Sequence, residues 1–389
     1  MSHWRNTFKN WARSFSLGGG RQAIRLQDAE ALSTALTHVT VQRSGPVLIV
    51  APDSAASEQV QADTESFLTV LNDSRPVFSI PEVSCSRPRA WLPENEAARC
   101  AALDRALQQE PAVFFASVHA LMSRTIPPAE FAAKRFTLQT GANGISPEQL
   151  AVRLIELDYD NELEVHAPGE FARRGGILDL FSPLHEAPVR IEFFGDTIES
   201  MRSFMPDTQR SFREVNSIHV AARGAVLEIS EHDDDENGDY VASYFDENTC
   251  LVVCDPEKIR THLEQFNLSA ELKAWSQLLS TRRERVLMLP PFSEVPAGLH
   301  VETVSETDCV ALSGEIASLL PELGHGAAGW HWQQLRSHLL RWHEQKVTMV
   351  ACCGSASERE RFTELLNEDA KTVDLPIVRE GLRLMRGCT

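Results

Sequence analysis

The stretch "FARRGGILDLF", Phe171 to Phe181, sets Arg173 and Arg174 against Gly175 and Gly176 and then runs into an apolar strand. Guanidinium groups hold carboxylates or phosphates through paired hydrogen bonds, and glycines let the backbone turn sharply beside them. Shortly after, "PVRIEFFGDTIESMRSF" reads as a β-hairpin with Gly195 and Asp196 as its two-residue turn. Strand alternation places Val189, Ile191 and Phe193 in the core and turns Arg190, Glu192 and Phe194 outward. A two-residue turn predicts Glu192 opposite Glu199 and Arg190 opposite Met201. Two facing acids repel, and an arginine nearby, from this chain or another, would relieve them. Arginine and phenylalanine are enriched at protein interfaces, although single exposed aromatics are ordinary on any surface.

Other chemistries fail on spacing. A phosphate loop needs G-x-x-x-x-G-K-[ST], because glycine amides must approach the phosphates and a lysine must reach the terminal ones. "SLGGGRQ", Ser16 to Gln22, has glycines but precedes a strand and lacks lysine, while the strand-to-helix turn beginning at Leu26, "LQDAEALST", has neither residue and opens with an acid. "DDDENG", Asp233 to Gly238, opens like a calcium loop, yet its twelfth position is Tyr244 where a bidentate Glu belongs. Cys250 and Cys254 share a strand face but lie about 13 Å apart, too far for one zinc. His331, His338 and His343 lack the spacing of a helical metal pair. Nothing nominates a catalytic triad. The expectation is no catalytic residue, no bound metal and no cofactor.

The elements that must carry the arginines follow from the whole chain. At 389 residues it exceeds what one core normally serves, so several domains are expected. Its 43% hydrophobic and 24% charged content is that of a globular protein, and no apolar run reaches the roughly 18 to 20 residues of a membrane span. A net charge of −18 opposes a broad grip on nucleic acid. The eight cysteines lack the close, even spacing of a disulfide framework, which fits reduced thiols in a cytosol. Before Asp28 there is no acidic residue, and Trp4, Phe8, Trp11 and Phe15 mark one face of an amphipathic helix, best read as docking on its own acidic domain.

From Arg21 to about Arg124 strand and helix alternate: "QAIRL" a strand, "DAEALSTALTHVTVQ" a helix capped by Asp28, "PVLIVAPD" a buried strand, "ENEAARCAALDRALQQ" a helix and "AVFFASV" a strand. Such alternation predicts an α/β domain of nucleotide-fold type with a parallel sheet. From about Ala129 the texture turns β-rich with one helix, "SPEQLAVRLIELD". After an acidic stretch, helix and strand return, and Pro290, Pro291 and Pro296 mark an edge. The expected organisation is a nucleotide-fold domain over 1–128 and 219–308, an α+β insert over 129–218, and a small α/β domain over 309–389.

"GEFARRGGILDLFSP" followed by "PVRIEFFGDTIESMRSFMPDTQRS" resembles the signature of the bacterial transcription-repair coupling factors and, more distantly, the excision-repair protein UvrB. "GPVLIVAPD", "SVHALMSR" after "AVFF", and "SYFDENTCLVVCDPEKI" stand in the order that family uses. The resemblance covers most of the chain, is specific in the middle, and is weak over Met1 to Gly20 and beyond about Pro290. It implies a helicase-like, UvrB-like nucleotide fold with a degenerate phosphate loop, split by an inserted domain that docks on the repair protein UvrA. The strand that would end in the Asp-Glu pair of the second helicase motif reads Cys254-Asp255-Pro256, which agrees with lost ATPase function. Carried across, the UvrA-facing positions are Arg174, Arg190 and Phe194, with Arg173 an added basic neighbour.

The expectation is therefore a non-enzymatic, cytoplasmic bacterial adaptor that recruits UvrA to stalled RNA polymerase, with polymerase and DNA reached only through further domains of a longer parent. Neither a polymerase-binding domain nor a translocase motor is visible, so an excised fragment or a truncated parent gene is expected. The alternatives are a residual ATP-binding protein or one that binds damaged DNA. Only three tyrosines and the negative charge oppose the second.

Overall fold

The computed structural model describes residues 20–26, 31–71, 73–82, 92–223, 239–266, 268–290, 293–296 and 299–304, with a few positions between 337 and 378. The amphipathic N-terminal stretch, Asp28, the acidic run 233–238 and the three histidines of the last part lie outside the described residues.

Runs such as VLIVA and VFFAS are nearly continuous in apolar side chains and buried at every position, so they are stable only where both faces are covered. They form the middle of a seven-stranded sheet in the order His300–Val304, Arg21–Leu26, Arg285–Leu289, Cys250–Cys254, Val47–Ala51, Val113–Ser117 and Val77–Ile80. Every neighbouring pair in it is parallel. Alternate residues separate the two covers. Leu48, Val50, Phe114, Val253 and Leu287 pack with helices Pro93–Gln108, Pro256–Gln265 and Ser269–Thr281. Ile49, Val113, Phe115, Val252 and Met288 pack with helices Ala31–Gln42 and Ser54–Leu71. A mixed α/β architecture with a parallel sheet is thus present, and the quoted strands and helices of the first part stand where the sequence pattern put them.

Helix Ser54–Leu71 and strand Val77–Ile80 are additional to that pattern. The helix is polar along much of its length and fully buries few large apolar side chains, Val60, Leu68 and Leu71. Its start is nonetheless written in Asp53, whose carboxylate accepts the Ala56 amide at 2.8 Å as a helix cap does.

Between the two sequence halves of the parallel sheet lies a six-stranded sheet ordered Ser211–Glu214, Thr197–Phe204, Val189–Phe194, Ile177–Leu180, Glu170–Arg174 and Asp160–Asn161. All its pairs are antiparallel except the last. One face buries Phe171, Leu178, Leu180, Val189, Ile191 and Met201 against Leu150 and Leu154 of helix Pro147–Glu156. Leu150 and Leu154 stand one turn apart, and a reciprocal pair of bonds between Ser146 and Gln149 caps the helix start. The strands that lead the chain in and out, Phe136–Gln139 and Ser217–Val220, pair antiparallel and close the same core.

Arg223 ties this part to the parallel-sheet part. Its guanidinium bonds Glu96 of helix Pro93–Gln108 at 3.1 Å and also pairs with Asp160. Burial works against its charge, but the two carboxylates prevail and raise its pKa. The side chain runs so close to Gly169 that a Cβ there would come within 2.5 Å of Arg223 Cδ, and Gly169 has a φ of +87°. Glycine is required at this position on both counts.

The hairpin turn falls at Gly195 and Asp196 as expected, with Phe194 opposite Thr197 and Phe193 opposite Ile198. The expected register beyond it is corrected. The pairing shifts between Glu192 and Phe193, so Glu192 faces Ser200 and Arg190 faces Arg202. Glu199 is the extra residue of a β-bulge, which removes the apposition of two acids. Beyond these parts, Ala351–Cys352 pairs in parallel with Ile377–Val378.

Candidate protein-docking face

The face of the six-stranded sheet away from helix Pro147–Glu156 is built in rows by strand pairing. Ala172, Asp179, Arg190 and Arg202 form one row, and Arg174, Ile177, Glu192 and Ser200 the next. Phe194 continues the alternation toward the hairpin tip. Arg173, one residue from Arg174, belongs to the opposite face, in register with Leu178 and Ile191. There it pairs with Glu148 in the first turn of the helix. The structure therefore brings Arg174, Arg190 and Phe194 onto one face and sets Arg173 apart from them.

The two rows differ. At the closed end, Arg190 Nε and Nη2 grip both oxygens of Asp179 at 2.7 and 2.8 Å, and Nη1 bonds the Gln209 carbonyl at 3.3 Å. Its guanidinium also lies 4.8 Å from the centre of the Phe204 ring. Asp179 is 3% exposed, and its hydrogen bonds raise the Arg190 pKa. Phe204 joins Val165, Ala172 and Phe181 in a small second core. Arg190 is thus largely spent inside the protein, a bond set that alternation alone does not reveal because Asp179 is eleven residues away and reached only through strand register.

At the open end, Phe194 is 80% exposed, Leu163 88% and Ile177 38%. Beside them Arg174 Nη2 donates to the Leu163 carbonyl at 2.6 Å and to Glu164 Oε1 at 3.3 Å, with both side chains about half exposed. Glu192 accepts from Ser200 Oγ at 2.8 Å and Arg202 Nη1 at 3.3 Å. Two turns carry this end. Gly175 and Gly195 both have left-handed φ, +63° and +61°, and the Gly176 carbonyl accepts the Phe193 amide at 2.8 Å, so the turns lie side by side. Leu163 and Ile177 are members of this end that the sequence pattern did not single out, as is Arg202, which reaches Glu192 from the neighbouring row. Leu163 lies in an irregular segment with no period to read.

At the carboxyl edge of the parallel sheet, where such folds place ligands, two acids are engaged within the protein, beside an open pocket lined by Asp255, Arg260, Trp275, Arg285, Leu287 and Leu289. Asp255 has a φ of +52° and its carboxylate accepts the Lys258 amide at 3.0 Å, capping helix Pro256–Gln265. Lys258 Nζ reaches across to Asp53 at 3.2 Å. Burial opposes the Asp53 charge, yet the Ala56 amide and Lys258 hold its pKa below the usual carboxylate value. Cys250 and Cys254 do share one face, deep in the core, and burial together with the Asp255 charge pushes the Cys254 thiol up to about 12. Among the described residues no group of His, Cys, Asp and Glu has a metal-binding arrangement.

Residues 136–225 match the family described as the UvrB interaction domain. Over 307 residues the chain is 29% identical to a transcription-repair-coupling factor of Bacillus subtilis, covering 77% of this chain and 25% of that protein. It is 32% identical over 220 residues to the transcription-repair-coupling factor of Myxococcus xanthus, covering 53% of this chain and 18% of that protein. It is also 27% identical over 189 residues to UvrABC system protein B of Kosmotoga olearia, covering 45% of this chain and 28% of that protein. The chain thus spans about a quarter or less of the coupling factors it matches. The face that carries Arg174, Ile177, Glu192 and Phe194 falls within residues 136–225, and over most of its length the chain resembles the UvrB-like part of the bacterial transcription-repair-coupling factors.

Proposed function

We propose that the chain is a non-catalytic adaptor that binds UvrA through the open end of its six-stranded sheet and brings nucleotide-excision repair to stalled RNA polymerase. The observation that carries this reading is the exposed Phe194 beside Arg174 on a rigid sheet, inside the segment that matches the UvrB interaction domain. An exposed aromatic on the same sheet face as an exposed aliphatic side chain and an arginine has the composition of an interface hot spot. Phe194 supplies buried area on binding, and Arg174 supplies orientation through a carboxylate of UvrA. Arg190 contributes chiefly by keeping the strands and the Phe204 core in place, with its remaining exposed edge available to the partner. Arg173 tethers helix Pro147–Glu156 on the other side.

The six-stranded sheet is read as a domain inserted into a helicase-like nucleotide fold whose phosphate loop is degenerate. The parallel-sheet part then works as scaffold, without ATP, metal or other cofactor. Supporting this, Asp255 caps a helix and Asp53 pairs with Lys258, so both acids already have partners within the protein. RNA polymerase and DNA would be engaged through other domains of a longer protein, in the bacterial cytoplasm. Among the described residues no helix is long and apolar enough to cross a membrane.

The test is capture of purified UvrA by the immobilised chain, wild type beside the double variant Arg174→Ala, Phe194→Ala. Retention by the wild type and loss in the double variant, with unchanged melting temperature, is the expected result. Equal retention by both would remove this face from the interface.

A further inference from the structure

Arg174 is not idle in the free protein. Its Nη2 holds the Leu163 carbonyl at 2.6 Å and Glu164 Oε1 at 3.3 Å, and Glu164 follows the exposed residues 161–163 and precedes the buried Val165. The Glu164 carboxylate is about half exposed and also stands 3.9 Å from His166 Nε2. Both bonds are exposed, but the one to the backbone carbonyl is short and the one to the carboxylate is longer, which makes the carboxylate the more readily replaced of the two. An ion pair of this exposure is weak, because water and salt screen it.

We infer that Glu164 is a stand-in for the partner's acid: it occupies Arg174 until docking, and an acidic side chain of the partner displaces it while the Leu163 carbonyl keeps the guanidinium aimed. This rests on the docking reading above and adds to it a built-in competitor. The Glu164 carboxylate lowers affinity because its bond to Arg174 must break before the partner's forms. It also makes binding less sensitive to salt, since one ion pair replaces another. The balance at Arg174 is one carboxylate out and one carboxylate in.

The experiment is titration calorimetry of UvrA into the full chain for wild type, Glu164→Gln, Arg174→Ala, Phe194→Ala and the double variant Arg174→Ala, Glu164→Gln. Glu164→Gln removes the competing charge and is expected to bind about two- to fivefold more tightly, the range of an exposed ion pair. Its affinity is also expected to fall more steeply between low and high salt than that of the wild type. In the double variant the gain should vanish, leaving it equal to Arg174→Ala. If Arg174→Ala and Phe194→Ala weaken binding while Glu164→Gln is neutral or weaker, the stand-in is refuted and the docking face survives. A gain in the double variant as large as in the single would trace the effect to net charge and likewise refute it. If neither Arg174→Ala nor Phe194→Ala changes affinity, the docking face itself falls, and the stand-in with it.

Discussion

The two sheets solve opposite problems with the same polypeptide. In the parallel sheet both faces are covered by helices, and at its carboxyl edge Asp255 caps a helix while Asp53 pairs with Lys258. In the six-stranded sheet one face is sealed by helix Pro147–Glu156, and the other is sealed at one end by the Asp179–Arg190–Phe204 cluster and left bare at the other. A bare apolar side chain next to a charged one is tolerated only where the fold beneath does not depend on it. Buried polar pairing and exposed apolar surface thus lie on different parts of the chain, and the boundary between them crosses a single sheet face.

The largest effect that would sharpen this contrast is Phe114→Ala. Phe114 is fully buried, stacked on Phe78 at 5.5 Å and edge-on to Phe245 at 5.0 Å. Truncation leaves a cavity and is expected to cost about 3 to 5 kcal/mol in urea unfolding. Next comes Asp179→Ala, which strands the Arg190 guanidinium on a half-covered face. A loss of about 2 to 4 kcal/mol of stability is expected, below the cost of an entirely buried pair because Arg190 keeps some solvent. A loss under about 1 kcal/mol would break the comparison, because Arg190 would then be as free as Arg174. Phe194→Ala reverses the pattern: melting temperature stays put, while affinity for UvrA falls about thirtyfold or more, as for a hot-spot aromatic. The smallest effect is a null. ATP with magnesium should leave the melting temperature unchanged, and a rise that scales with ligand concentration would reopen the parallel sheet as a binding site.

Much of this was legible in the residues. Continuous apolar runs announced the parallel strands, and Gly195-Asp196 between alternating residues announced the hairpin. The same alternation placed Arg190, Glu192 and Phe194 outward. What stayed hidden needed a third dimension. The bulge at Glu199 has no glycine or other mark to betray it, so the register beyond it could not be counted from the turn. The Asp179 grip on Arg190 joins two strands whose pairing follows only once the fold is known. Helix Ser54–Leu71 escaped notice because its surface is largely polar and the apolar period is faint, although Asp53 marked its start.

Arg173 and Arg174 are adjacent in the chain, yet a sheet lies between their side chains. The number of residues from Phe171 to Gly175 therefore carries information that their identities do not. Removing or adding one would either hand the outward post to the wrong arginine or swing Phe171 out of the core, whereas extra length in the neighbouring turn would leave both assignments intact.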